Sequence, residues 1–164
     1  MMTTFFIFLF VVFTTVNPLS SPCPITVLGG GNFALALSTV CAANGHPTTI
    51  LVRDVRIAES INQHNIHPHY MSDLSLPESV VATIDPKTAF ENPSYIIHAV
   101  PVQYSRGALE KVVQFMDPDT PILSASKGIE TTSLGFMADI LKEVRGSSGA
   151  WNAIVIIVIF SLTK

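Results

Sequence analysis

Charge is scarce in this chain, and its distribution matters more than its amount. Only 13% of the 164 residues are Asp, Glu, Lys or Arg, against about a quarter in an ordinary globular domain. No charged residue precedes Arg53, and from Gly146 onward only Lys164 carries a charge, so nearly all of it lies between Arg53 and Arg145. The two ends therefore differ in kind from the middle. Lys and Arg form no cluster and the formal net charge is -3, which leaves no basic field to condense on a phosphate backbone and excludes nucleic acid as the expected partner. Cysteine is limited to Cys23, ahead of a predicted strand, and Cys41, inside a predicted helix. Both are read as reduced thiols rather than as a disulfide.

Long apolar runs are also missing. Phe5 to Phe13 is unbroken for nine residues, whereas a helix that spans a bilayer needs about 20. A secretory signal requires Lys or Arg before the run and small residues at the cleavage point, and Met1 to Thr4 and Val16 to Ser21 supply neither clearly. The abundance of Thr and Ser without an acidic residue matches organelle transit peptides, but their arginines are lacking. At the other end, Gly146-Ser147-Ser148-Gly149 reads as a flexible break. It is followed by Ile154 to Phe160, a β-branched apolar run with no 3.6-residue period. The chain accordingly divides into residues 1–24, an apolar segment that is a candidate for targeting, residues 25–145, one globular unit, and residues 146–164, an aberrant apolar tail. A membrane-associating or sheet-completing role for that tail is the alternative, and any membrane contact is expected to be weak.

What the middle contains is alternation. Ile25 to Leu28 reads as a buried strand that runs into Gly29-Gly30-Gly31, and Ala34 to Ala43 as a helix of small and aliphatic residues stopped by Gly45 and Pro47. Thr48 to Val52 is a second strand, lying about 20 residues past the glycines, the interval that a βαβ unit needs. A helix over 56–65, a strand at Val80 to Thr83, a short helix opened by Asp85 and Pro86, and a strand at Tyr95 to Ala99 follow. A helix over 105–115, a strand at Pro121 to Ser124 and a last helix from Thr132 to Val144 on a threonine cap complete the order. No internal repeat is present. Strands alternating with helices imply an α/β fold, a Rossmann-like doubly wound parallel sheet with ligands at the carboxyl ends of its strands.

The loops at that edge carry the chemistry. Gly29-Gly30-Gly31-Asn32-Phe33-Ala34 fits G-x-G-x-x-G/A: the first glycine makes the turn, the second lets backbone approach a pyrophosphate, and Ala34 allows close packing of helix on strand. Amides at Asn32 and Phe33 would face the phosphates at the positive end of the helix dipole. A glycine turn alone is weak evidence, and its place between a strand and a helix strengthens it. Where many NAD binders put an acid, this chain puts Arg53 and then Asp54, which favours a 2′-phosphate unless the two residues simply pair on the surface. Lys127, at the end of the fifth strand, could meet a substrate phosphate or carbonyl; a solvated lysine is the plain alternative. His98 reads as a core histidine with one satisfied nitrogen. His64, His67 and His69 straddle Pro68 with no Cys or carboxylate at tight spacing, so they are read as loop histidines and no metal is expected.

Together the Gly29 turn, Tyr70 followed by Leu76-Pro77, Val100-Pro101-Val102-Gln103-Tyr104 and Ser124-Ala125-Ser126-Lys127-Gly128 resemble the amino-terminal domain of NAD(P)-dependent glycerol-3-phosphate dehydrogenases, most of all the plant plastid ones. The resemblance covers roughly Ile25 to Val144. It implies that Gly29, Gly31, Asn32, Phe33, Arg53, Tyr70 and Lys127 contact an NAD or NADP cofactor, and that Lys127 also contacts glycerol phosphate. It implies hydride transfer between the nicotinamide and dihydroxyacetone phosphate or glycerol 3-phosphate, in glycerolipid precursor metabolism, by a homodimer. The cytoplasm is the expected compartment, with the plastid as the alternative. One departure is Ala34, where the family has glycine. A larger one is that the family's helical substrate domain, with its catalytic lysine, has no counterpart after Val144, so the chain as given is expected to be inactive. Two competing readings stay open: another reductase that shares the glycine turn, of the 6-phosphogluconate or ketopantoate type, and a non-catalytic nucleotide- or partner-binding fragment.

Overall fold

The computed structural model describes residues 21–126, 128–145 and 153–155. Its elements run β1 (Ile25–Leu28), α1 (Asn32–Ala43), β2 (Thr48–Leu51), α2 (Val55–His64), β3 (Val80–Thr83), α3 (Pro86–Ala89), β4 (Tyr95–His98), α4 (Val102–Val112), β5 (Ile122–Ser124), α5 (Met137–Arg145) and β6 (Ala153–Val155). All strand pairings are parallel, in the order β3-β2-β1-β4-β5-β6. The doubly wound parallel sheet expected from alternation is thus present.

The central strands are apolar along their whole length because both faces are covered. Every residue of β1 is buried, and its neighbours alternate between two cores. Val27, Ile50 and Ile97 pack with Leu35 of α1 and Ile61 of α2. Leu28, Leu51 and Ile96 pack with Leu109 of α4 and Ile140 of α5 on the other side. Register follows from this: Val27 lies opposite both Ile50 and Ile97, and a slip of one residue would exchange the two cores.

Helix ends follow local chemistry. Asp54 caps α2 by accepting from the Arg56 amide, and Asp85 caps α3 by accepting from Lys87 and Thr88, with Pro86 at the first position. Gly45, at φ 85°, follows the end of α1, where its amide bonds the Ala42 carbonyl. The fourth helix starts earlier than expected, at Val102 on Pro101, and it tightens into a 3-10 turn over Val113–Phe115.

Two expectations are corrected. The last helix begins at Met137 rather than at Thr132. Ahead of it Leu134 takes φ 56°, Ile129 and Phe136 form an antiparallel bridge, and buried Glu130 receives Arg106, so residues 128–136 close as a loop. The tail set outside the strand and helix pattern contributes Ala153–Val155 to the sheet, with Ala153 opposite Ile122. A parallel strand can be a continuous apolar run, so the lack of a 3.6-residue period never argued against one. The apolar run Phe5 to Phe13 lies outside the described residues. Among the described residues no helix is long and apolar enough to cross a membrane.

Candidate functional site

The order of strands reverses between β1 and β4, the point at which an open α/β sheet leaves a crevice. The glycine turn sits there. Gly29 has φ 126°, and a Cβ on it would lie 2.8 Å from the Ala99 carbonyl oxygen at the end of β4, so backbone meets backbone and no side chain fits. A Cβ on Gly30 would lie 3.1 Å from a Val52 methyl. Gly31 is different: a Cβ there would meet nothing within 4 Å, so the fold itself does not require glycine at this position.

Gly31 is also the N-cap of α1, in extended conformation, and no side chain caps the helix. The Leu35 amide bonds the Gly31 carbonyl, whereas the amides of Asn32 and Phe33 have no carbonyl one turn back. Asn32 is exposed, and Phe33 keeps 39% of its surface accessible beside these amides. Open space, amide donors with no partner among the described residues and the positive end of a helix dipole form an anion site that needs no basic side chain. Ala34 is fully buried, so the position where the family has glycine tolerates the methyl within the packed core.

Arg53 stands exposed at the end of β2 and takes part in no ion pair among the described residues. The alternative that it pairs with Asp54 is not what the structure contains. Asp54 instead binds Arg56, at 2.8 Å, while capping α2. Hydrogen bonding from the Arg56 side chain, then from its amide, lowers the Asp54 carboxyl to a pKa of about 2. The acid is occupied, and the arginine beside it has no ion pair among the described residues.

Tyr70 projects from the loop between α2 and β3 with 45% of its surface exposed, its ring 5.1 Å from the His67 ring. Lys127 lies outside the described residues, and the structure places its neighbours. The Ser126 hydroxyl bonds the Val100 carbonyl and reaches His98 Nδ1 at 2.8 Å. Gly128 has φ 102°. Gln103 joins the same loop to α4, donating to the Ile129 carbonyl at 3.0 Å and accepting from the Thr131 amide and hydroxyl. The two loops read from sequence as lying at the ligand edge are therefore laced to each other.

His98 is a buried core histidine with one satisfied nitrogen, as expected; Nε2 has no partner among the described residues. Burial lowers its pKa to about 4. No group of three or more His, Cys, Asp or Glu that could hold a metal occurs among the described residues. His67 was grouped with its neighbours as a loop histidine, but it is 1% exposed and bonded to the Tyr70 loop. Its ring is held by near neighbours, the His69 and Tyr70 amides at 3.1 Å and the Tyr70 ring, which a reading of histidine spacing for metal ligands does not reveal. A depression of about 470 Å³ lined by Lys87, Phe90, Asn92 and Phe115 shares no residue with the glycine turn.

Comparison with known proteins agrees with this geometry. Residues 24–158 match the model of the NAD-dependent glycerol-3-phosphate dehydrogenase N-terminus. The chain is 40% identical over 119 residues to glycerol-3-phosphate dehydrogenase [NAD(+)] 2, chloroplastic, of Arabidopsis thaliana, covering 71% of this chain and 28% of that protein. It is 34% identical over 124 residues to glycerol-3-phosphate dehydrogenase [NAD(P)+] of Corynebacterium aurimucosum, covering 76% and 37%. The crystal structure of glycerol-3-phosphate dehydrogenase from Coxiella burnetii superposes with a TM-score of 0.70 at 21% identity, over 77% of this chain and 38% of that one. The Plasmodium falciparum glycerol-3-phosphate dehydrogenase gives 0.63 at 25% identity, over 75% and 36%. The chain spans roughly a third of the length of these relatives.

Proposed function

The chain belongs to the family of the NAD-dependent glycerol-3-phosphate dehydrogenase amino-terminal domain, and from that premise we propose that it binds NAD or NADP at the β1–β4 crevice. The observation that carries this reading is the uncapped amino end of α1 behind Gly31, where the fold leaves open both space and amide donors. Gly29 holds the turn, Gly31 admits the pyrophosphate, Asn32 and Phe33 supply amides, Arg53 and Tyr70 flank the adenosine side, and the family resemblance assigns Lys127 to the cofactor and to glycerol phosphate.

When bound, the nicotinamide supplies a hydride to the C2 carbonyl of dihydroxyacetone phosphate, or accepts one from glycerol 3-phosphate. This chain's own residues orient and exclude. The α1 amides fix the pyrophosphate, the crevice walls at Ala99 and Val100 keep water from one face, and the Lys127 ammonium offsets charge on the substrate phosphate or on the carbonyl oxygen. Turnover is assigned to the polypeptide that joins this domain to a substrate domain supplying the proton-transfer lysine. The 164 residues alone are expected to bind nucleotide without turnover. A homodimer, cytoplasmic residence and weak membrane contact belong to the same proposal. The chloroplastic relatives in Arabidopsis and rice support the plastid as the alternative compartment.

Titration of the purified chain with NADH and NADPH, read by nucleotide fluorescence beside an assay of dihydroxyacetone phosphate reduction, tests the reading. Saturable binding without turnover supports it. Absence of binding to either nucleotide overturns it.

A further inference from the structure

β4 ends in a buried polar side chain amid apolar ones. Tyr95, Ile96 and Ile97 lead to His98, which is 0% exposed in a sheet covered on both faces. Burying an imidazole there is costly unless its nitrogens are used. Nε2 has no partner among the described residues, so the use falls to Nδ1, which lies 2.8 Å from the hydroxyl of Ser126, a buried residue just past β5. The two side chains meet beside the ladder that joins their strands, where the Ala125 amide bonds the His98 carbonyl at 2.8 Å.

The next partner fixes the direction of that bond. A serine hydroxyl has one hydrogen, and that of Ser126 goes to the Val100 carbonyl, which can only accept. The Ser126 oxygen therefore accepts from His98, and the ring carries its hydrogen on Nδ1. The result is a one-way relay from the His98 ring through the Ser126 hydroxyl to the Val100 peptide. Ser105 of α4 also reaches that carbonyl, at 3.3 Å, but its hydrogen is shared with the Pro101 carbonyl at 3.2 Å. Val100 lies where the chain leaves β4 for α4. One of its methyls is 3.5 Å from where a Cβ of Gly29 would stand, and the Ala99 amide before it bonds the Leu28 carbonyl at 2.9 Å. The relay thus ends on the wall that meets the glycine turn from the β4 side. A doubly wound sheet carries one mononucleotide on each side of its switch point. Arg53 and Tyr70 belong to the side of β2 and β3, and Val100 to the other.

We propose that Ser126, oriented by His98, is a positioning residue for the nicotinamide half of the nucleotide: its hydroxyl fixes the Val100 peptide and so sets the width of the crevice between Val100 and the glycine turn. The proposal rests on the nucleotide-binding reading above. It differs from a purely structural role because it predicts a loss confined to one half of the ligand. The α1 amides and Arg53, which that reading gives to the pyrophosphate and the adenosine, take no part in the relay.

The test is calorimetric titration of the 164-residue chain with NADH and with ADP-ribose, which has the adenosine and the pyrophosphate but no nicotinamide, with folding checked by thermal unfolding. Ser126→Ala is expected to weaken NADH about tenfold and ADP-ribose less than about twofold, the loss of one buried hydrogen bond felt on one side of the switch point. His98→Phe, which offers no donor, is expected to reproduce that pattern, and the double variant to lose no more than either single one, as for residues that act in series. His98→Asn, whose amide can donate in place of Nδ1, is expected to hold NADH within about threefold of the wild type. Should Ser126→Ala fail to fold, the ¹⁵N shifts of the wild-type imidazole decide the geometry. An Nδ1–H tautomer supports the relay, and an Nε2–H tautomer overturns it. Equal losses for the two ligands, or no loss for NADH, overturn the proposal and leave nucleotide binding standing, whereas a wild-type chain that binds neither ligand overturns both.

Discussion

Gly29 and Gly31 stand two positions apart and answer to different neighbours. At Gly29 the obstacle is the protein's own Ala99 carbonyl, 2.8 Å from where a Cβ would go, together with φ 126°. Gly29→Ala should therefore destabilise the fold by about 2 to 5 kcal/mol, combining the cost of a left-handed L-residue with overpacking, and urea unfolding would show it. At Gly31 nothing in the fold objects, so Gly31→Ala should leave the urea midpoint unchanged and cut nucleotide affinity by about tenfold or more through contact with the pyrophosphate. Equal effects on stability at the two positions would remove Gly31 from the site. Arg53 is argued at the same scale. Its guanidinium has no ion pair among the described residues while Asp54 is held by Arg56, so Arg53→Ala should weaken NADPH about tenfold and NADH far less. Parallel losses for both nucleotides would mean that Arg53 does not meet a 2′-phosphate.

Among the elements, the loop between β5 and α5 shows where local sequence rules lose to distant contacts. Thr132 looked like a helix cap because threonine before an apolar stretch is one of the better start signals. It sits in a loop because Glu130, two residues earlier, is drawn into the protein by Arg106 from α4, at 2.9 Å, and by the Ser133 hydroxyl. The side-chain hydrogen bond from Arg106 lowers the Glu130 carboxyl below its ordinary range. A depressed carboxyl stabilises the fold above the unfolded-state pKa and loses that contribution as pH falls through the folded value. Glu130→Gln should therefore lower Tm at pH 7 and open residues 128–136 to amide exchange, while at a pH below both values the variant and the wild type should converge. A Tm difference that persists unchanged in acid would show that the ion pair is not what orders this loop. Gln103 spans the same gap from α4, so the segment flanking Lys127 is fixed from α4 rather than by its own sequence.

Across the whole molecule, buried histidines set the acid limit. His98 sits in β4 with 0% exposure, and burial lowers its pKa from 6.5 to about 4. The unfolded chain takes up this proton first as pH falls, so stability is full above about pH 6.5 and declines until about pH 4, by roughly 3 kcal/mol for this one group. His67 is shifted in the same direction by burial and then by His69. Urea midpoints measured between pH 7 and pH 4 should fall steadily, and His98→Phe should flatten that slope. A wild-type midpoint that is constant over this range would show that His98 is not held neutral.

The sequence by itself determined the alternation of strands and helices, the glycine turn at the end of β1, the Asp85-Pro86 helix start and the family resemblance, because each is written in contiguous residues through propensity, caps and spacing. What only the tertiary structure decided involves partners far apart in the chain. It buried His67, it bound Glu130 to Arg106, and it drew Ala153–Val155 into the sheet beside β5. A buried parallel strand has no periodicity to read, and a hydrogen bond between residues dozens of positions apart leaves no local trace. Both become visible only once the sheet order has brought the segments together.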